Sequence, residues 1–341
     1  MPIEIISPGT NFDFIGKWKW CMAGSLAIIL AGLLAIPVLG LHWGIDFAGG
    51  IELQVHFAEG VSVDEGRIRD AVGGLGLGET SVVRFGEAGH ESYEIRFAGA
   101  KAESAEERQG QVVDRIQAAL ADKIGKVSVD RVDFVGPKVG ADLRRDGIRA
   151  FTIAFALILV YIAVRFSFQF APGAVVALVH DVLVACAVWI LMGQEFDLQV
   201  LAALLGIAGY SLNDTIIVYD RIREMMTMHT AQDLPDVINR SVNQTLSRTI
   251  LTSGTTMLAV LALLVLGGPV IRPFAAVMAI GIVVGTYSSI YIASPIMLLL
   301  EQRFGASAKR AAAPSAGKAG SGKGPGKGGK RDAKGPRAAR A

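Results

Sequence analysis

Residues 198–219 read LQVLAALLGIAGYSLNDTIIVY. The stretch is apolar enough to cross a bilayer, whose hydrocarbon core of about 30 Å takes about 20 helical residues. Asp214 interrupts it. A carboxylate at that depth costs about 2.5–3.5 kcal/mol on insertion scales, so it needs a partner or a water-lined cavity. By default such a residue marks an ion or proton path. Fold class and function both turn on it: a helical membrane protein that carries a charge where lipid would expel one.

Five further runs of spanning length surround this one, at approximately 21–41, 148–164, 172–192, 249–266 and 274–300. The chain of 341 residues is 52% hydrophobic with a mean hydropathy of +0.45, too apolar for an ordinary soluble enzyme. The first run reads as an uncleaved anchor, because it is longer than a signal-peptide core and about 20 residues precede it. Two cysteines, Cys21 and Cys186, both fall in spanning runs and suggest neither a disulfide nor a metal site. The five histidines have no ligand spacing, and no phosphate-binding GxxxxGK[ST] occurs. The expectation is a non-enzyme with no cofactor, no metal and no specific nucleic acid.

Lys and Arg near the ends of the runs set the orientation. Lys17 and Lys19 precede the first run, Arg165 lies between the second and third, and Arg221, Arg223, Arg240 and Arg248 lie between the fourth and fifth. The tail from Arg303 carries eleven basic residues against one acid, Asp332. With six spans these all share one side, so both termini are expected in the cytoplasm. The tail is rich in Gly, Ala, Lys and Pro and cannot bury a core. It is expected to be disordered and to associate with anionic lipid at about 1 kcal/mol per basic residue at the surface.

One opposite loop is long. From Gly44 to Gly147 it holds 19 acids against 13 Lys/Arg. IELQVHF (51–57) alternates like a strand. Helical spacing follows over 62–75, with Ile68 and Val72 on one face. Two short strands, SVVRF (81–85) and SYEIRFA (92–98), flank a turn with Gly86 and Gly89. An amphipathic helix is expected over 103–124 and a last strand over 126–136. The order β-α-β-β-α-β is that of a split βαβ unit. The expected fold class is therefore a polytopic α-helical membrane protein with six transmembrane helices and a periplasmic α+β ferredoxin-like domain between helices 1 and 2. Its parts are a cytoplasmic N-terminus (1–20), helix 1 (21–42), the periplasmic domain (43–147), a five-helix transmembrane domain (148–303) and the basic tail (304–341).

Asp214 lies about 24 Å along its helix from residue 198, at about 1.5 Å per residue, toward the cytoplasmic side. Arg248 enters the fifth span at a similar level, so the two make a pair on consecutive spans. A nearby cation favours the charged carboxylate and burial the neutral one, and a group between those influences can load and release a proton when either changes. A static salt bridge, or an Arg reaching to the interface, is the structural alternative. Asp181, in ALVHDVLVA (177–185), is a second acid near mid-membrane. His180 is its neighbour but points about 100° away on a helix, so the two are not expected to form a dyad. Ser211, Asn213 and Thr215 on the fourth span, with Ser247 and Thr252 on the fifth, supply a polar layer around Asp214 that bonds across helices or lines water. Thr249, Ser253, Thr255 and Thr256 crowd the same stretch. Gly281 and Gly285 form a GxxxG pattern on the last span, a packing signal.

GYSLNDTIIVYDRIRE (209–224) followed by NQTLSRTILTSGTT (243–256) resembles the signature of the SecF family, of the resistance–nodulation–division superfamily. FDFIGKWKW (12–20), GIDFAGGIELQV (44–55) and ALVHDVLVA agree with it, so the likeness runs over 10–303. Only the basic tail has no required counterpart. The resemblance implies a multi-pass protein of the bacterial inner membrane with a SecD partner, the SecYEG channel, YajC and secreted preproteins around it. It implies use of the proton-motive force to drive or complete export. By position, Asp214 and Arg248 match the family's intramembrane charges tied to proton flow, and Asp181 a further acid. Asp46, Gly49 and Gly50 match a motif after helix 1, read as a hinge or docking point. On this expectation a proton neutralises Asp214, its attraction to Arg248 weakens, and the two halves of the complex shift. Half of a small-molecule efflux permease and a non-transporting scaffold are the rival readings, and the coupling ion, proton or sodium, stays open.

Overall fold

A computed structural model describes residues 10–57, 63–77, 79–85, 92–98, 106–166, 170–228 and 233–305. The basic tail and the turn with Gly86 and Gly89 lie outside the described residues. Among the described residues, six helices are long and apolar enough to cross a membrane.

The first is α1 (Trp18–Leu39), entered through a 3-10 turn at Ile15–Lys17 and closed by Gly40, whose φ is +80°. A one-turn helix α2 (Ile45–Ala48) leads into the head: β1 (Gly50–Phe57), α3 (Glu65–Gly73), β2 (Glu79–Phe85), β3 (Ser92–Ala98), α4 (Glu106–Lys123) and β4 (Val127–Val135). The remaining helices are α5 (Pro137–Arg165), α6 (Ala171–Leu191), α7 (Leu198–Met228), α8 (Leu234–Leu266) and α9 (Gly268–Ser288). A π-helical turn (Ser289–Ala293) joins α9 to α10 (Ser294–Leu300). Helices α5, α7 and α8 overrun the apolar runs at one end. Hydropathy marks where lipid is, whereas the polar turns at 137–147, 220–228 and 234–248 are helical without being lipid-facing throughout.

The head is a four-stranded sheet in the order β2-β3-β1-β4, every neighbouring pair antiparallel. The alternation of β1 separates its faces. Ile51, Leu53, Val55 and Phe57 pack with Tyr93, Ile95 and Phe97 of β3 under Ile68 of α3 and Ile116 and Leu120 of α4. Each buried aliphatic contributes about 1.5–3 kcal/mol. The opposite face carries Glu52, Glu94 and Arg96, and it stands over the loop between α6 and α7. A shift of register between Gln54 and Val55 marks a bulge against β4.

In the bundle, α6, α7 and α9 form the buried centre, while α1, α5 and α8 present leucines and valines outward, among them Leu34, Leu157 and Leu258. The GxxxG of α9 seats α7. Gly281 lies against Ile207, and a Cβ on Gly285 would fall 3.0 Å from that of Ser211. Pro295 at the start of α10 cannot donate a backbone hydrogen bond, which accounts for the irregular turn before it. At the opposite end from the head, the segment before α1 is held by α8. Asn243 and Asn239 accept from the Phe12 and Phe14 amides, both at 2.9 Å.

The head joins the bundle through a close-packed joint. Phe196 N–H donates to the His42 carbonyl and Gly44 N–H to the Phe196 carbonyl, both at 2.8 Å. Arg144 of α5 stacks on Trp43 at 5.6 Å. Asp46 accepts from the Leu198 amide at 3.2 Å and Asp197 from the Val200 amide at 2.7 Å, so two carboxylates cap the start of α7. Gly49 has φ +73°, and a Cβ there would lie 2.8 Å from Pro137 Cα. Gly49→Ala is therefore expected to cost about 1–3 kcal/mol, read as a lowered unfolding midpoint of the detergent-solubilised chain. An unchanged midpoint would show that the joint is looser than its geometry.

Candidate functional site

Asp214 is buried between three helices. Its side-chain hydrogen bonds run across helix interfaces. Thr249 of α8 donates to Oδ1 at 2.6 Å, and Ser289, first residue of the π-helical turn, donates to Oδ2 at 2.5 Å. Bonds to a charged acceptor are about twice as strong as neutral ones, so the carboxylate pins α8 and the π-helical turn after α9 to α7.

The expected pairing with Arg248 is not formed. No Arg248 nitrogen lies within 4.0 Å of a carboxylate oxygen among the described residues, and the side chain is exposed on the outside of α8. Its charge is still felt at Asp214. Thr249, one residue on and about 100° around the helix, faces inward in its place. The polar layer also differs from expectation. Ser211 donates to Asp181, Thr215 to the Ser211 carbonyl at 3.2 Å, and Thr252 to the Arg248 and Thr249 carbonyls at 3.0 Å, while Asn213 is exposed and Ser247 half-buried. Among the described residues, Ser211, Thr215 and Thr252 direct their hydroxyls to partners other than Asp214.

Asp181 has a site of its own. Oδ2 accepts from Ser211 of α7 and from Ser288 of α9, the latter at 2.7 Å. Oδ1 lies 2.9 Å from His180 Nδ1. The contact that helical geometry does not supply ready-made is thus present: a 100° separation of Cβ directions still lets a buried imidazole turn back onto the adjacent carboxylate. Among the described residues, buried His180 Nε2 has no hydrogen-bond partner, and the ring lies beside that of Tyr287 at 6.4 Å between centroids. Ser288, Ser289 and the pairing role of His180 were missed in the sequence. The available signal was the serine doublet of YSSIYIASP (287–295) in an otherwise apolar span.

The third cluster lies outside the bundle. Arg96 of β3 reaches Glu52 at 3.1 Å, Glu195 of the α6–α7 loop at 3.3 Å, and Glu94. Glu52 and Arg96 are directly opposed across the strands, so the pair follows from register. Trp189 Nε1 donates to the Glu195 carbonyl at 2.9 Å and holds the loop in place. Burial, then Glu94, pushes the Glu52 carboxyl up to about 7, against the opposing effect of Arg96. Burial also pushes Asp197 up to about 6. Among the described residues, no three His, Cys, Asp or Glu gather at metal-binding spacing.

Residues 115–303 match the model of the protein export membrane protein SecD/SecF C-terminal family, and residues 34–61 match the SecD/SecF GG motif. The first match covers both carboxylate sites and the second covers Asp46, Gly49 and Gly50. The chain is 42% identical over 301 residues to the protein translocase subunit SecF of Calditerrivibrio nitroreducens, covering 88% of this chain and 97% of that one. The chain belongs to the SecF family. The SecF subunit of Magnetococcus marinus is 43% identical, over 88% of this chain and 95% of that one. The crystal structure of SecDF, a translocon-associated membrane protein from Thermus thermophilus, superposes with a TM-score of 0.74 at 32% identity. The match covers 88% of this chain but 40% of that one, so this SecF-family chain spans about two fifths of the SecDF polypeptide. Family and spans together make it a multi-pass membrane protein of protein transport.

Proposed function

We propose that the chain is an accessory subunit of the bacterial Sec translocase that works with a SecD-type subunit and uses the proton-motive force to drive or complete preprotein export. The observation that carries this reading is Asp214: a buried carboxylate at spanning depth, held by hydroxyls of α8 and the π-helical turn and, among the described residues, not neutralised by an ion pair. Protonation removes the charge that strengthens both bonds, so the hold of α7 on α8 and on the π-helical turn weakens. The proton path comprises Asp214, Asp181 and, through its field, Arg248. The outward leucine and valine faces of α1, α5 and α8 suit lipid or a second six-helix subunit.

In this reading both termini are cytoplasmic, by the distribution of Lys and Arg. The βαββαβ head, with strand order β2-β3-β1-β4, is a ferredoxin-like domain on the periplasmic side of the inner membrane. Arg96 and the joint around Asp46, Gly49 and Gly50 pass bundle motion to it, where it meets an emerging preprotein. SecYEG and YajC complete the assembly, and the basic tail rests on anionic lipid. The test is purification of the tagged chain in mild detergent with mass-spectrometric identification of what accompanies it. A SecD-type protein and channel subunits are the expected companions; recovering neither would remove the basis for the reading.

A further inference from the structure

Asp181 and Asp214 sit on different helices, α6 and α7, yet both are bound by consecutive residues, Ser288 at the end of α9 and Ser289 at the start of the π-helical turn. Ser288 donates to Asp181 and Ser289 to Asp214, at 2.7 and 2.5 Å. Each hydroxyl has a second acceptor within reach on its own helix. For Ser288 it is the Gly285 carbonyl at 3.3 Å, and for Ser289 the Thr286 carbonyl at 3.1 Å. A hydroxyl carries one proton to donate. Each serine therefore has two positions, toward a carboxylate or toward its own helix.

The residues lie where the backbone is irregular. Ser289 opens the π-helical turn, Ser294 donates to the Ser289 carbonyl at 2.8 Å, and Tyr219 of α7 donates to the Ala293 carbonyl at 2.8 Å. The turn is thus gripped by α7 at both ends, through Asp214 and Tyr219. Single π-helical turns inside α-helices are frequent at functional sites, and this one changes its side-chain bonding whenever a serine turns.

We infer that His180–Asp181 is a second proton-binding site and that Ser288 and Ser289 couple its occupancy to that of Asp214. A proton arriving on Asp181 Oδ2 makes that oxygen a donor. Ser288 then turns to the Gly285 carbonyl or accepts from the acid, and the strain on the turn alters how Ser289 meets Asp214. His180 Nε2, buried and unpartnered among the described residues, is a second place for the same proton, with Nδ1 already on the carboxylate. Of the other titratable groups, Tyr287 stands beside His180 and donates to the Cys21 carbonyl, Tyr291 packs on Tyr287, Tyr219 of α7 bonds the far end of the turn, and the Arg248 charge reaches Asp214. The inference rests on the proton-switch reading of Asp214 and assigns Ser288 and Ser289 as positioning residues within it.

The test uses the full chain reconstituted with its partner subunit and follows protonated carboxyl bands by infrared difference spectroscopy across pH. Asp181→Asn and Asp214→Asn assign the bands, and co-purification of the partner verifies the fold of each variant. In the wild-type background, Asp181→Asn is expected to move the Asp214 midpoint by about one pH unit, the scale at which two sites titrate as a pair. With Ser288→Ala or Ser289→Ala in place, that movement is expected to fall to less than half, and Ser288→Thr, which keeps the hydroxyl, is expected to restore it. Coupling that persists in both alanine variants would show a direct field between the carboxylates and overturn the serine relay, leaving Asp214 as a proton site. Absence of any Asp214 titration would overturn the proton-switch reading itself, and the relay with it.

Discussion

Asp214→Asn is expected to abolish the part of preprotein export that responds to the proton-motive force, while leaving assembly and the remaining export intact. Asparagine has the shape of the carboxylate and can still accept from Thr249. It cannot change charge, so the bonds to α8 and to the π-helical turn no longer alternate between strong and weak. One proton moving through about 100 mV supplies about 2.3 kcal/mol. That corresponds to a bias of about fifty-fold in a two-state equilibrium, at tenfold for each 1.4 kcal/mol. The variant forfeits this bias on every cycle. The measurement is export into or release from vesicles with and without an imposed proton gradient. The wild type responds to the gradient, whereas the variant gives the same yield in both conditions. Normal stimulation of the Asn variant would mean that Asp214 is a structural acceptor only.

What was legible in the sequence follows from what one dimension can encode. Length and hydropathy disclose the six spans, because a bilayer demands about 20 apolar residues and little else imitates that. Alternation in IELQVHF and the amphipathic spacing around Ile116 disclose the order of strands and helices in the head, since each reports which face is buried. The depth of Asp214 is also legible at 1.5 Å per residue. Its partner is not. Arg248 and Thr249 differ by one residue in depth but by about 100° in direction, and only packing tells which faces α7. The same ambiguity misplaced Ser211. Three residues before Asp214 on α7, it points to α6 and α9 and serves Asp181. Ser289 lies 75 residues from Asp214, and nothing local announces the contact. The Arg96–Glu195 bond joins residues 99 apart, one in a strand and one in a loop that reads only as a short connection.

That bond is the second place where a single change should have a large effect. Arg96→Met keeps most of the aliphatic stem and removes the cation that Glu52, Glu94 and Glu195 share. Breaking a buried pair from one side leaves uncompensated charge and costs about 3–5 kcal/mol. The cost must depend on pH. In the native head Glu52 holds its proton up to about 7, against an ordinary value of 4.5. Between those values the folded state binds more protons than the unfolded one, so the stability that Glu52 contributes is greatest at low pH and declines as pH rises through that window. Without Arg96 the one influence favouring the charged form of Glu52 is gone, and the decline continues to higher pH. The variant head should therefore be nearer wild-type stability at pH 5, where the Glu52 carboxyl is neutral, and most destabilised at pH 8. Hydrogen-exchange protection of the β1 and β3 amides, corrected for intrinsic exchange at each pH, reads this directly. Equal loss of protection at pH 5 and pH 8 would mean that Arg96 acts through packing. A loss confined to high pH would identify it as the charge that locks the head to the α6–α7 loop, so that acidification of the head face unlocks it.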